Sequence, residues 1–107
     1  MQRHRFNKDI RNRVPYFSYP IKNKAAKVGQ EFCIELRACH PQDGPVYFSV
    51  QNMPLSAQFV DHGDATASFR WAPEKKGMYL VIFTVDDGEN IYNELIHHQF
   101  VFIDVRK

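Results

Sequence analysis

The chain has 107 residues, of which 44% are hydrophobic, 14% aromatic and 24% charged, with a formal net charge of +2. That describes one ordinary globular domain with a single core, and it excludes a multidomain enzyme, a membrane span and a disulfide-dense miniprotein. The small net charge hides a division: residues 1–27 carry eight Lys or Arg against Asp9 alone, whereas residues 28–107 carry six against eleven Asp or Glu.

Residues 1–13 show no periodicity and read as a basic linker or flexible arm. Asn12-Arg13-Val14-Pro15 marks where the folded part, residues 14–107, begins. Met1 is not followed by the apolar run of roughly 7–15 residues that a secretory leader needs. The chain is therefore expected to be cytosolic, or the mature or excised part of a longer precursor.

From there period 2 dominates. Phe32, Ile34, Leu36 and Ala38 alternate with Cys33, Glu35, Arg37 and Cys39, a strand with one wet side. Six residues of strand put the two cysteines roughly 20 Å apart, whereas a disulfide needs Cα atoms within about 7 Å. Free thiols are expected, and they lean towards a reducing compartment. His40-Pro41-Gln42-Asp43-Gly44-Pro45 is a turn, and Val46, Phe48 and Val50 alternate next until Gln51-Asn52-Met53-Pro54 breaks the strand. Ala57–Val60 is a short strand and Asp61-His62-Gly63-Asp64 a polar turn. Ala67, Phe69 and Trp71 alternate with Ser68 and Arg70 until Pro73. Lys75-Lys76-Gly77 turns into the strongest strand, Met78–Val85, and Asp86-Asp87-Gly88-Glu89-Asn90 turns out of it. Residues 95–105 form the last strand. Six or seven strands with turn signals roughly every 8–12 residues predict an all-β antiparallel sandwich.

The ordered string Asn12-Arg13-x-Pro15, Val28-Gly29-Gln30-x-Phe32, Asp43-Gly44-Pro45-Val46-x-Phe48, Met53-Pro54, Phe69-x-Trp71-x-Pro73, Gly77-x-Tyr79-x-Val81-x-Phe83-x-Val85-x-Asp87-Gly88 and Val101-x-Ile103-x-Val105 resembles the cadherin-like and dystroglycan-type immunoglobulin-like modules. The resemblance covers residues 12–105. It implies an immunoglobulin-like β-sandwich of about seven strands, used as a spacer, adhesion or accessory binding module in secreted or surface proteins, outside the cytoplasm. It also implies tandem neighbours. In that family the loop after the second strand is rich in aspartates, and here two of those carboxylates are absent.

Each candidate site also has a simpler role. Asp43, Asp86, Asp87 and Glu89 sit on loops that a sandwich can gather at one end, and a calcium ion takes six to eight such oxygens. The simpler role is turn formation, since an aspartate side chain bonds its own backbone. His97 and His98 are adjacent on a strand, so they point to opposite faces and do not easily share an ion, and with Cys33 and Cys39 they form no Cys-x-x-Cys or His-x-x-x-His spacing. Cys39 and His40 are likewise adjacent, and no phosphate loop or nucleophile elbow occurs, so no enzyme is expected. Arg3, Arg5, Lys8, Arg11 and Arg13 around Phe6 would suit a nucleic acid, but they serve a linker equally well and the acidic body opposes a duplex. Trp71, Tyr79 and Phe83 are expected in the core. On the other side of the last two long strands Leu80, Ile82, Phe100 and Phe102, with Tyr47 beside them, would form an apolar outer face. Such a face predicts a protein partner, either a neighbouring domain or another subunit.

Overall fold

The computed structural model describes residues 15–88 and 97–107. The basic arm, Val14, Glu89 and residues 95–96 of the expected last strand lie outside them. Among the described residues there are eight strands: β1 (Tyr16–Phe17), β2 (Lys24–Lys27), β3 (Phe32–Cys39), β4 (Tyr47–Gln51), β5 (Gln58–Asp61), β6 (Thr66–Trp71), β7 (Gly77–Asp86) and β8 (His97–Arg106). They form two four-stranded sheets, ordered β1-β3-β6-β5 and β2-β8-β7-β4. This is the expected all-β sandwich, with two corrections.

Two short strands precede Phe32, and one sheet is mixed rather than antiparallel. β2 runs parallel to β8, with Lys24 opposite Ile103 and Lys27 opposite Arg106. The chain leaves the first sheet after Phe17 and crosses to the second. Side chains guide that crossing: Gln99 Oε1 accepts the Ile21 N–H at 3.1 Å, and Asn23 Oδ1 accepts the Phe102 N–H at 3.0 Å. Neither strand has a strong signature of its own. β1 is two residues long, and Lys24-Ala25-Ala26-Lys27 lacks the β-branched and aromatic residues that favour strands.

Alternation decides the core. Leu36, Phe69, Val81, Phe83, Val101 and Ile103 point between the sheets and are essentially inaccessible. Phe83 sits centrally, meeting the Phe69 ring edge-on at 5.5 Å and stacking on Phe59 at 6.1 Å. Trp71 packs edge-to-face on Tyr79 at 4.8 Å, and its indole N–H donates to Ser56 Oγ at 3.0 Å. The Tyr79 hydroxyl donates to the Lys75 carbonyl at 2.9 Å and so pins the corner that leads into β7. Trp71 and Phe83 are buried in the core, and half-buried Tyr79 packs against it.

Candidate functional site

The β7–β8 ladder sets the outer face of the second sheet. Tyr79, Val81, Phe83 and Val85 turn inward, which sends Met78, Leu80, Ile82 and Thr84 outward. On β8, Val101, Ile103 and Val105 turn inward, and His98, Phe100 and Phe102 outward. The register places Leu80 opposite Phe102 and Ile82 opposite Phe100. Cross-strand partners lie about 4.5–5.5 Å apart at Cβ, so the four form one apolar block. Met78 extends the block and is 64% exposed, against 59% for Phe100 and 45% for Phe102. Leu80 and Ile82 are half-buried beneath them.

Polar residues frame this block. On one side the row Ser49–Thr84–His98 crosses the sheet, with Thr84 Oγ1 and His98 Nδ1 2.8 Å apart. At the other end Arg106 donates two bonds to Asp104, at 2.8 and 3.0 Å. Tyr47 belongs to the same face but not to the block, which corrects the sequence reading. It pairs with Asp86, two positions along β7 from Thr84, so the polar row separates it from Ile82. Its ring instead lies over Gly88. Alternation on β4 showed that Tyr47 faces out, but only the β4–β7 register shows how far along it sits.

Two of the candidate calcium ligands, Asp43 and Asp86, sit in turns. Asp86 Oδ1 accepts the Gly88 N–H, and Asp43 sits at a left-handed φ of +55° in the turn that its N–H closes on His40. Among the described residues no group of three His, Cys, Asp or Glu is placed to hold a metal ion. His97 and His98 do face opposite ways, the first near the Tyr16 ring and the second on Thr84. Burial, and then the neighbouring His98, hold the His97 pKa below the usual histidine value. Cys33 and Cys39 are free thiols.

The first sheet's outer face is polar, and one network there escaped the sequence reading. Glu35 accepts the Ser68 hydroxyl at 2.8 Å and the Cys33 thiol at 3.2 Å, and His62 Nε2 lies 2.8 Å from the Ser68 oxygen. Burial, followed by the bond to Glu35, raises the Cys33 pKa. The Ser68 bond, followed by the Cys33 bond, lowers that of Glu35. The serine gives its proton to the carboxylate rather than to the histidine. The order needed for an activated nucleophile, hydroxyl to base to orienting group, is therefore not made. The residues come from β3, from β6 and from the turn after β5, so only the sheet register brings them together.

Solved structures with this architecture include immunoglobulin-like domains of titin. The titin M3 domain is 12% identical, covers 88% of this chain and 98% of its own, and has a TM-score of 0.64. A chimeric titin Z1Z2 carrying an exogenous decorin peptide is 12% identical over 87% of this chain and 48% of that one, with a TM-score of 0.68. An endo-fucoidan hydrolase of glycoside hydrolase family 107 is 13% identical over 88% of this chain and only 14% of that one, with a TM-score of 0.67. At such identities the likeness is one of fold, the immunoglobulin-like sandwich. No protein-family model and no curated protein matches the sequence. Among the described residues no helix is long and apolar enough to cross a membrane.

Proposed function

We propose that this sandwich is a non-catalytic interaction or spacer module of a larger surface, secreted or periplasmic protein or assembly. It docks a neighbouring domain or subunit through the β7–β8 outer face. The observation that carries this reading is the block of Met78, Leu80, Ile82, Phe100 and Phe102, apolar, contiguous and rimmed by polar residues. On a small domain such a patch marks a contact surface. Phe and Met are also the residue types enriched at the buried centres of interfaces. The mechanism is geometric: a rigid sandwich fixes the distance between its ends while one sheet face makes the contact. Within the immunoglobulin-like sandwiches, the motif string from Asn12 to Val105 supports a cadherin-like module.

The test compares the full chain with the Leu80→Ser/Phe102→Lys double variant by sedimentation velocity. The expected result is association by the parent chain that disappears in the variant, with higher solubility. Association of equal strength in both would sink the reading.

A further inference from the structure

The apolar block is laid out evenly about one point. Val81 and Val101 pair beneath its centre. Leu80 and Phe102 lie one position to one side of that pair, and Ile82 and Phe100 one position to the other. Further out on β8, each about 10 Å from Val101, stand His98 on one side and Asp104 on the other.

Each of these two has a bonding group to spare. Thr84 Oγ1 occupies His98 Nδ1 at 2.8 Å, which leaves Nε2 of that exposed ring. Arg106 binds Asp104 through Oδ2 alone, at 2.8 and 3.0 Å, which leaves Oδ1. Among the described residues neither Nε2 nor Oδ1 has a partner. Along one strand the two residues are about 20 Å apart, so they do not meet within a chain. Charge is divided along the same direction. Asp86 faces outward beside Tyr47 at one end of the sheet, and Arg106 and Lys27 face outward together at the other.

A copy of the same face carries the missing acceptor and donor at matching distances. We propose, on the reading of the β7–β8 face as a contact surface, that its occupant is a second copy of this chain. The two-fold axis lies between the facing sheets, perpendicular to the strands, over Val81 and Val101. It turns the strands end for end. Phe100 then lies on the partner's Phe102, Leu80 on the partner's Ile82, and His98 Nε2 against Oδ1 of the partner's Asp104. The acidic end of each copy meets the basic end of the other. Facing sheets pack about 10 Å apart with their strands about 30° from alignment. At about 10 Å from the axis that angle moves facing side chains sideways by about 5 Å, which a histidine and an aspartate span between them. An axis along the strands would instead stack His98 on the partner's His98 and Arg106 on the partner's Arg106, like upon like.

The area fits as well. A large side chain offers about 200 Å², so the exposed parts of Met78, Phe100 and Phe102, with the edges of Leu80 and Ile82, leave about 400 Å² of apolar surface per copy. Two copies bury about 800 Å², the non-polar share of an interface of about 1,300 Å², within the range of about 1,200–2,000 Å² found for stable complexes.

The test is a double-variant cycle on the full chain, with the monomer–dimer equilibrium followed by sedimentation. Asp104→Lys and His98→Glu should each weaken the dimer at least about tenfold, since one sets two donors against each other across the axis and the other two acceptors. The His98→Glu/Asp104→Lys variant opposes a carboxylate to an ammonium and should return to within about threefold of the parent. That rescue is diagnostic, because the two positions do not touch within one copy. Urea unfolding read through Trp71 separates lost folding from lost association. Additive losses in the double variant would overturn the two-fold arrangement while the contact face itself stands. A parent chain that stays monomeric at sub-millimolar concentration would overturn the second copy and leave the face to a different partner. Dimerisation undiminished in Leu80→Ser/Phe102→Lys would overturn both.

Discussion

Phe102 and Ile103 are neighbours on β8 that face opposite ways, and substituting each should separate folding from association. Ile103 is fully buried between the sheets. Ile103→Ala deletes packed atoms in a layer that cannot collapse freely, at a cost of about 2–5 kcal/mol. In a domain of this size that lowers Tm by roughly 10–30 °C. Phe102 is 45% exposed, so a little over half of its surface is already covered. A phenylalanine offers about 200 Å², which leaves roughly 100 Å² hidden, or about 2.5 kcal/mol if all of it were lost. In Phe102→Lys the lysine stem lies over Leu80 and recovers most of that, so the net cost falls to about 1 kcal/mol. Urea unfolding followed through Trp71, the only tryptophan, reads both variants. Ile103→Ala should lose most of its stability with association unchanged while folded, and Phe102→Lys the reverse. Equal destabilisation by the two would refute the argument, because it would mean that the Phe102 ring belongs to a core. A one-residue slip in the β7–β8 register would exchange the two results.

Gly88 sits at a φ of +84°, and a Cβ there would meet Tyr47 Cε2 at 2.5 Å. Gly88→Ala should cost about 1–3 kcal/mol, of which the contact part disappears in a Tyr47→Ala background; strict additivity of the two in a urea-based cycle would contradict this. Glu35 has its pKa lowered in the folded state by Ser68 and then Cys33, from an ordinary value of 4.5. A depressed carboxylate adds stability above its unfolded pKa and loses it as pH falls through the folded one. The parent chain should therefore lose stability below pH 4.5 more steeply than Glu35→Gln does, and parallel urea midpoints across that range would rule the bond out.

Strands whose two faces differ in polarity are legible in the sequence face by face. Ile34-Glu35-Leu36-Arg37 and Phe69-Arg70-Trp71 declare which side is wet, so β3 and β6 and their share of the core could be placed. Lys24-Ala25-Ala26-Lys27 declares nothing. β2 is a strand because Gln99 and Asn23 hold the preceding chain against β8, and those contacts span 78 and 79 residues. The same limit governs the sites. Period 2 assigns Leu80, Ile82, Phe100 and Phe102 to an outer face, but contact between strands depends on register, which single-strand alternation does not contain. Register makes Leu80 and Phe102 partners, and it sets Tyr47 apart behind the Thr84 row. How far β1 pairs with β3 depends on how soon β1 ends, and no residue type announces that.

β7 itself gives the strongest argument for a covered face. It reads Met78-Tyr79-Leu80-Val81-Ile82-Phe83, apolar on both sides, where β3 alternates with charge. A run apolar on both sides is the pattern of strands buried on both faces, as in sheets with layers above and below. Among the described residues only one side of β7 is covered, by the β3 sheet. The outward positions of β3, by contrast, are Cys33, Glu35, Arg37 and Cys39, and its polar network needs no further layer. The two sheets therefore make unequal demands. The first is complete against water, whereas the second carries the composition of a middle layer. Left open in a crowded solution, Met78, Phe100 and Phe102 would be an aggregation hazard that a single outward lysine on β7 would relieve. The outward positions of β7 from Met78 to Ile82 hold no such charge. That absence is intelligible if a neighbour supplies the missing layer, and the sequence then orients the module: the β3 sheet faces solvent and the β7–β8 face meets the partner.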